Sequence, residues 1–420
     1  MNHYEEYIIK LQRRIKRIED NPDPKRLRTT KMRYELQLEE AQEQLEAWRQ
    51  SRPFSDGDGF VAGRLTRAMG FTPTGSVGTA MQTMTPQKYL EHASERGLPV
   101  DNSCDMTMMP FAMQECGDVP MEDLSLCNQH TCIPMMLRGI YVAHTTKNFT
   151  YYVDIPFEEN DTNLTYVTDQ LGEFIEFAEW KFPGVIKYEE EKLVEMQEHE
   201  EASRELVFEM YKMRRNKPSP LGGLDAFSGG GGGASSAKGL EIVKARRDEL
   251  AERVENGMAA VPGEQLRVLW TVTRPYFMNP CEVLEKRKVA IIFYYSGIAH
   301  LGVPLPRHVY FAGRKLTPIE KVAAQAISAL WAGPQTRWID NMLWICSDLE
   351  IDAIINYNML GCTATLGLKK IVEERAEKEL GIPTLQLEGS QWNSNYAKKA
   401  TINTKLDDFA QMCLSQKGLS

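Results

Sequence analysis

Asp352-Ala-Ile-Ile-Asn-Tyr-Asn-Met-Leu-Gly-Cys362 is the stretch that decides the fold of this chain. The apolar run Ile351 to Tyr357 predicts a buried strand. A helical stretch follows, Leu366 to Leu380, and after Gly381 a second short strand, Pro383 to Leu387. Strand, helix and strand in that order predict two parallel neighbours in an α/β sheet. Cys362 then stands just past the carboxyl end of the first strand, where open α/β sheets hold their ligands.

The same alternation extends towards the N-terminus. Arg267–Val272 and Val289–Tyr295 read as buried strands, with a short helix, Glu282–Arg287, between them and a longer one, Leu240–Asn256, before them. Met121–Leu126 and Phe149–Ile155 read as strands, with Leu137–Val142 ending an intervening helix. Two long amphipathic helices follow, Thr162–Phe182 and Glu189–Arg215. The glycine-rich stretch Asp56–Gly78 reads as loop with a short helix. At the start, Ile8, Ile9, Leu11, Ile15 and Ile18 give one apolar helix face, which Asn21-Pro-Asp-Pro24 breaks before a second helix runs to about Trp48. Such a hairpin packs on the body of the protein or on a partner. The expected fold class is α/β: two doubly wound Rossmann-like domains with a helical N-terminal extension. The expected parts are a helical hairpin over residues 1–55, a first α/β domain over 56–216, a Gly/Pro-rich linker or loop over 217–238 and a second α/β domain over 239–420. Within the third part, Ser228-Gly-Gly-Gly-Gly-Gly-Ala-Ser-Ser236 reads as a flexible loop. It is not a phosphate-binding P-loop, because no Gly-Lys-Ser/Thr follows.

Composition narrows the function classes. The chain has 420 residues, 42% hydrophobic and 25% charged, which is ordinary for a globular protein of more than one domain. A net charge of −9 argues against nucleic acid as the main partner. No apolar run reaches the roughly 18 residues of a membrane span, and Met1-Asn-His-Tyr-Glu-Glu6 has no signal-peptide core. A cytoplasmic location is expected, with the eight cysteines reduced or metal-bound.

None of those cysteines forms a Cys-x-x-Cys pair. Cys346 and Cys413 lie on apolar helical stretches and read as small buried hydrophobes; Cys281 has no evident partner. Cys104, Cys132 and Cys362 have loop contexts. Thiolates from separate loops can converge on one metal centre, and such soft ligands select iron–sulfur clusters or zinc. A zinc hydrolase would need histidines or carboxylates at ligand spacing, and none is present.

At this point the residues resemble a family. Ser103-Cys104, Pro120-Met-Glu-Asp123 leading to Thr131-Cys132, and Ile354 to Cys362 are similar to its three cysteine motifs. Asn216–Pro220, Pro262–Trp270 leading to Pro275-Tyr276, and Leu387-Glu-Gly389 with Leu406–Met412 extend the likeness over about residues 60–415. The chain resembles the cluster-bearing subunits of the 2-hydroxyacyl-CoA dehydratase and class I benzoyl-CoA reductase family. The resemblance implies a [4Fe–4S] cluster held by Cys104, Cys132 and Cys362. It implies an acyl-CoA substrate, a homologous cluster-bearing partner subunit and a separate ATP-hydrolysing activator that delivers electrons. Of the two reactions, the resemblance inclines towards reduction of an aromatic acyl-CoA, because Asn216–Pro220 and the spacing around Cys132 and Cys362 look more like the larger cluster subunit of the reductases; (R)-2-hydroxyacyl-CoA dehydration and a non-catalytic scaffold are the alternatives. Cys127 is an alternative to Cys132, and Cys116 a further candidate. The N-terminal hairpin and the pentaglycine stretch depart from the family pattern.

His130, two residues from Cys132, is the candidate proton donor; His300 and His308 are weaker ones. Arg307, Arg314 and Lys315 are candidates for the CoA phosphates, or simply a solvated basic loop. Met106, Met108, Met109, Phe111, Met135 and Met136 supply either a dry wall near the cysteines or plain core.

Overall fold

The computed structural model describes residues 1–23, 26–56, 63–75, 82–98, 103–128, 132–146, 148–227, 234–295, 310–329 and 332–419. In chain order come α1 (His3–Asp20), α2 (Thr29–Arg49), β1 (Phe54–Asp56), α3 (Gly63–Ala68), β2 (Thr72–Pro73), α4 (Pro86–Glu95) and α5 (Asp105–Glu115). Then follow β3 (Leu124–Asn128), α6 (Ile133–Thr146), β4 (Phe149–Val153), α7 (Asp161–Lys181), α8 (Glu190–Met213), α9 (Leu224–Phe227) and α10 (Ala237–Glu255). The rest is β5 (Leu266–Thr271), α11 (Cys281–Lys286), β6 (Val289–Tyr295), α12 (Pro318–Ile327), α13 (Gln335–Asp348), β7 (Ala353–Met359), α14 (Thr363–Leu366), α15 (Lys369–Leu380), β8 (Thr384–Gly389) and α16 (Lys399–Gln416).

The chain forms two compact units, each discontinuous in sequence. One comprises Met1–Asp20, Tyr34–His199 and His308–Pro334; the other comprises Asn21–Arg33, Glu200–Arg307 and Gln335–Ser420. Each carries one four-stranded sheet, in the orders β2-β1-β3-β4 and β6-β5-β7-β8, and every pairing is parallel. The α/β class with two Rossmann-like sheets therefore holds.

In the second unit β5 and β7 are buried at every position. Helices on both faces of a parallel sheet demand such apolar strands. β7 nevertheless carries Asn356 and Asn358. Their amides are accommodated sideways: Thr271, Asn356 and Gln386 lie in register across three strands. The Thr271 hydroxyl donates to Asn356 Oδ1 at 2.6 Å, and the Asn356 and Asn358 amides donate to Gln386 Oε1 at 3.0 and 2.9 Å. A buried polar group is tolerated when its hydrogen bonds are made, as for Asn356 and the Asn358 amide N–H groups; Asn358 Oδ1 has no partner among the described residues.

In the first unit, Leu124 and Leu126 of β3 join a core built on α7, where Leu164, Val167, Leu171 and Phe174 are buried. Val322, Ala323 and Ile327 of α12, late in the chain, complete that core.

Two details differ from expectation. The stretch Asp56–Gly78 was expected as loop with a short helix, but β1 ends at Asp56 and β2 follows α3. Strands of three and two residues are too short to show a period. β3 also begins at Leu124 rather than Met121. Glu122 is drawn into an ion pair, and the Asp123 carboxylate accepts the Phe54 N–H at 2.8 Å.

Of the apolar face expected on α1, Leu11 is buried, while Tyr4 and His3 are the other buried residues. Tyr4 meets Trp48 edge-on at 6.0 Å and donates to the Thr74 carbonyl. In the Gly/Pro-rich stretch 217–238, Ser219 and Leu221 are buried, and α9 forms; residues 228–233 lie outside the described ones.

Candidate functional site

The three candidate thiols share one local setting: each is the last residue before a helix. Cys104 is the N-cap of α5, in extended conformation, and is buried. Its carbonyl accepts the N–H of Thr107 at 3.0 Å and of Met108 at 3.3 Å. Cys132 precedes α6, and its carbonyl accepts the Met136 N–H at 3.2 Å. Pro134 in the first turn presets the helical φ there. Cys362 is the N-cap of the short α14, and its carbonyl accepts the Thr365 and Leu366 N–H groups at 3.3 and 3.2 Å. The turn into it closes from the Cys362 N–H to the Met359 carbonyl, with Gly361 at φ 76°. That left-handed position favours glycine. Cys132 and Cys362 are half-buried, and each follows the carboxyl end of a parallel strand.

The other cysteines are placed differently. Cys127 sits inside β3 and is buried. A Cβ on Gly139 of α6 would fall 2.6 Å from its Sγ and 3.4 Å from the Tyr152 hydroxyl, so the helix rests directly on that sulfur. Cys116 ends α5, half-buried, its thiol pushed up by burial with Lys88 opposing. Cys281, Cys346 and Cys413 are buried, and burial raises all three thiols, that of Cys413 to about 11. They are core residues.

A feature that sequence reasoning missed ties the first two cysteine helices together. Arg138, midway along α6, donates to Glu122 Oε1 at 2.6 Å and to Gln114 Oε1 of α5 at 3.1 Å. Gln114 in turn donates to the Pro120 carbonyl at 3.2 Å. Arg138 and Glu122 are 3% and 0% exposed, so their charges answer each other almost without water. An arginine amid apolar residues of a helix was the available signal.

At the carboxyl edge of the second sheet, Tyr276 stacks on Trp392 at 4.9 Å, and its N–H donates to the Gln391 carbonyl. Val272, the first residue after β5, has φ 67°. For a β-branched residue that is real strain.

Of the dry-wall candidates, Met108, Met109 and Phe111 are core, while Met106, Met135 and Met136 are half-buried. Arg314 is paired with Asp161, and Lys315 is exposed. His130, His300, Arg307 and His308 lie outside the described residues. A cavity of about 310 Å³ lies at the opposite, amino end of β5 and β7. Its charged lining is spent in the pairs Lys217–Glu350, Arg267–Glu264 and Lys417–Asp352. It offers no unpaired charge to an acyl-CoA.

The model of the family described as 2-hydroxyglutaryl-CoA dehydratase, D-component, matches residues 59–413. The chain belongs to that family. It is 22% identical over 355 residues to the (R)-phenyllactyl-CoA dehydratase alpha subunit of Clostridium sporogenes, covering 79% of this chain and 81% of that one. It is 21% identical over 304 residues to the (R)-2-hydroxyglutaryl-CoA dehydratase subunit alpha of Acidaminococcus fermentans, covering 70% of this chain and 61% of that one. The D-component match takes in all three cysteine motifs and every strand of the two sheets except β1. It makes this chain a subunit of the 2-hydroxyacyl-CoA dehydratase type. Among the described residues no helix is long and apolar enough to cross a membrane.

Whether the residues suit an iron–sulfur group is a matter of donors and their surroundings. Cys104 and Cys132 belong to the first unit and Cys362 to the second. Among the described residues no three Cys, His, Asp or Glu side chains already form a ligand group. The donors themselves are soft thiols, as such groups take. The buried hydroxyls Ser103 Oγ and Thr365 Oγ1, beside two of them, have no hydrogen-bond partner among the described residues. Sulfur acceptors brought to Cys104 and Cys362 would suit both hydroxyls.

Proposed function

We propose that this chain is an iron–sulfur subunit of a 2-hydroxyacyl-CoA dehydratase, holding a [4Fe–4S] cluster with Cys104, Cys132 and Cys362. The family match across residues 59–413 carries this reading, because it spans all three thiols. Removal of water from a 2-hydroxyacyl-CoA is hard for acid–base chemistry, since the β-hydrogen is not acidic. The cluster, when bound, supplies a low-potential electron to the thioester carbonyl.

The chain's own residues do the rest. The backbone turns at Cys104, Cys132 and Cys362 each present a cysteine at the start of a helix. The Arg138–Glu122–Gln114 network fixes α5 against α6 and so fixes the two thiols of the first unit. The apolar side chains Met108, Met109 and Phe111 keep water from the wall behind Cys104. His130 remains the candidate proton donor. A second, non-identical subunit belongs to the proposal because both relatives carry the name alpha subunit. That this partner shares the fold, and that a separate ATP-hydrolysing activator delivers the electrons, is what the family resemblance implies.

Both relatives are dehydratases, which places dehydration before aromatic-ring reduction as the reaction proposed. EPR of the reduced complex tests this. Addition of a 2-hydroxyacyl-CoA should change the cluster signal, while benzoyl-CoA leaves it unchanged. The reverse pattern would replace dehydration by ring reduction, and no change with either would leave this chain a scaffold.

A further inference from the structure

Cys362 and Thr365 are the N-cap and third residue of α14; Cys104 and Thr107 hold the same two places in α5. The two Cys-x-x-Thr turns, one in each unit, differ in one atom's fate. The Thr107 hydroxyl donates to the Cys104 carbonyl at 2.7 Å. The Thr365 hydroxyl has no hydrogen-bond partner among the described residues, although Thr365 is only 2% exposed. A buried hydroxyl without a partner is costly and rare in native proteins.

The Cys362 carbonyl accepts two N–H groups, as the Cys104 carbonyl does, but the Thr365 hydroxyl does not join them as the Thr107 hydroxyl does at Cys104. Side chains three residues apart on a helical turn share a face. The Cys362 side chain makes no cap hydrogen bond, so its sulfur is not spent on the turn, and the Thr365 hydroxyl proton is free to rotate towards an acceptor.

We infer that Thr365 is a positioning residue for the Cys362 ligand: its hydroxyl donates a hydrogen bond to sulfur once Cys362 is ligated, and so sets the reduction potential of the bound group. This rests on the iron–sulfur reading above. A donor directed at a cluster sulfur stabilises the reduced, more negative state, so its loss lowers the potential.

The test uses the anaerobically purified complex with four side chains at this position. Thr365→Ser keeps the hydroxyl and loses the methyl; Thr365→Val does the opposite; Thr365→Ala loses both. Iron and sulfide are measured first, then the midpoint potential by EPR-monitored titration. Wild type and Thr365→Ser should share one potential, with Thr365→Val and Thr365→Ala below it. If Thr365→Val loses iron, the comparison of Ser with Ala decides. Equal potentials in all four, or a potential that follows the methyl group, would overturn the inference and leave the iron–sulfur reading intact. A wild-type complex without iron would overturn both.

Discussion

Arg138 Nη2 lies 2.6 Å from Glu122 Oε1, and neither side chain has appreciable contact with water. Arg138 stands on α6, which begins after Cys132, and also holds Gln114 of α5, which begins after Cys104. Removing one partner strands the other charge, which costs about 3–5 kcal/mol. Arg138→Ala should therefore lower the urea midpoint sharply. Arg138→Met with Glu122→Leu should recover most of the loss, because an apolar pair of similar volume is often neutral or better. Equal destabilisation by single and double variants would contradict this role.

The contact between Gly139 and Cys127 leads to a second expectation. Gly139→Ala places a methyl group 2.6 Å from the Cys127 sulfur, so α6 must shift or β3 must give. Overpacking of this kind costs about 1–3 kcal/mol. Adding Cys127→Ala should relieve it. Cys127→Ala alone should keep its iron, whereas Cys132→Ala should lose it; the opposite result would exchange the two as ligands.

Burial separates the thiols by reactivity. The Cys413 thiol is pushed up to about 11 by burial first and by Asp352 second, and Cys281 and Cys346 are raised further by burial. Only the thiolate is alkylated. In native apoprotein near neutral pH, iodoacetamide should label the half-buried Cys132 and Cys362 first, with Cys116, half-buried but raised by burial, slower. Cys281, Cys346 and Cys413 should react only after unfolding. Peptide mass spectrometry reads the order, and early labelling of Cys346 would contradict the packing of α13.

Lys10 gives a pH dependence. Its ammonium is held down to about 8, by burial first and by Arg14 second, against 10.5 for a free lysine. Between those values the unfolded chain binds more protons than the folded one, so stability rises with pH across that window. Below about 8 both states are protonated and the burial cost is fully present. Wild type should gain stability relative to Lys10→Met on moving from pH 8 towards 10.5. Parallel urea midpoints for the two would contradict it.

Much of the fold was legible because buried parallel strands announce themselves. Val289–Tyr295 matches β6, and the strand–helix–strand unit around Cys362 appears as β7, α14–α15 and β8. β1 and β2 were not legible, since pairing rather than any internal period makes them strands. The positions of Cys132 and Cys362 after strands could be read, because topology alone puts loops there. That each of the three thiols is the last residue before a helix could not, as cysteine is not a usual capping residue. The Arg138–Glu122 pair was hidden for another reason. A charge in a sequence reads as surface until its partner, 16 residues away, is seen beside it.

The measurement that bears most directly on the central claim is iron, sulfide and zinc analysis of the anaerobically purified complex, with EPR after reduction. If Cys104, Cys132 and Cys362 hold the proposed group, about four irons and four sulfides per chain are expected. They should be lost on Cys362→Ala and kept on Cys346→Ala. Zinc in their place, or no metal in a folded complex, would contradict the claim.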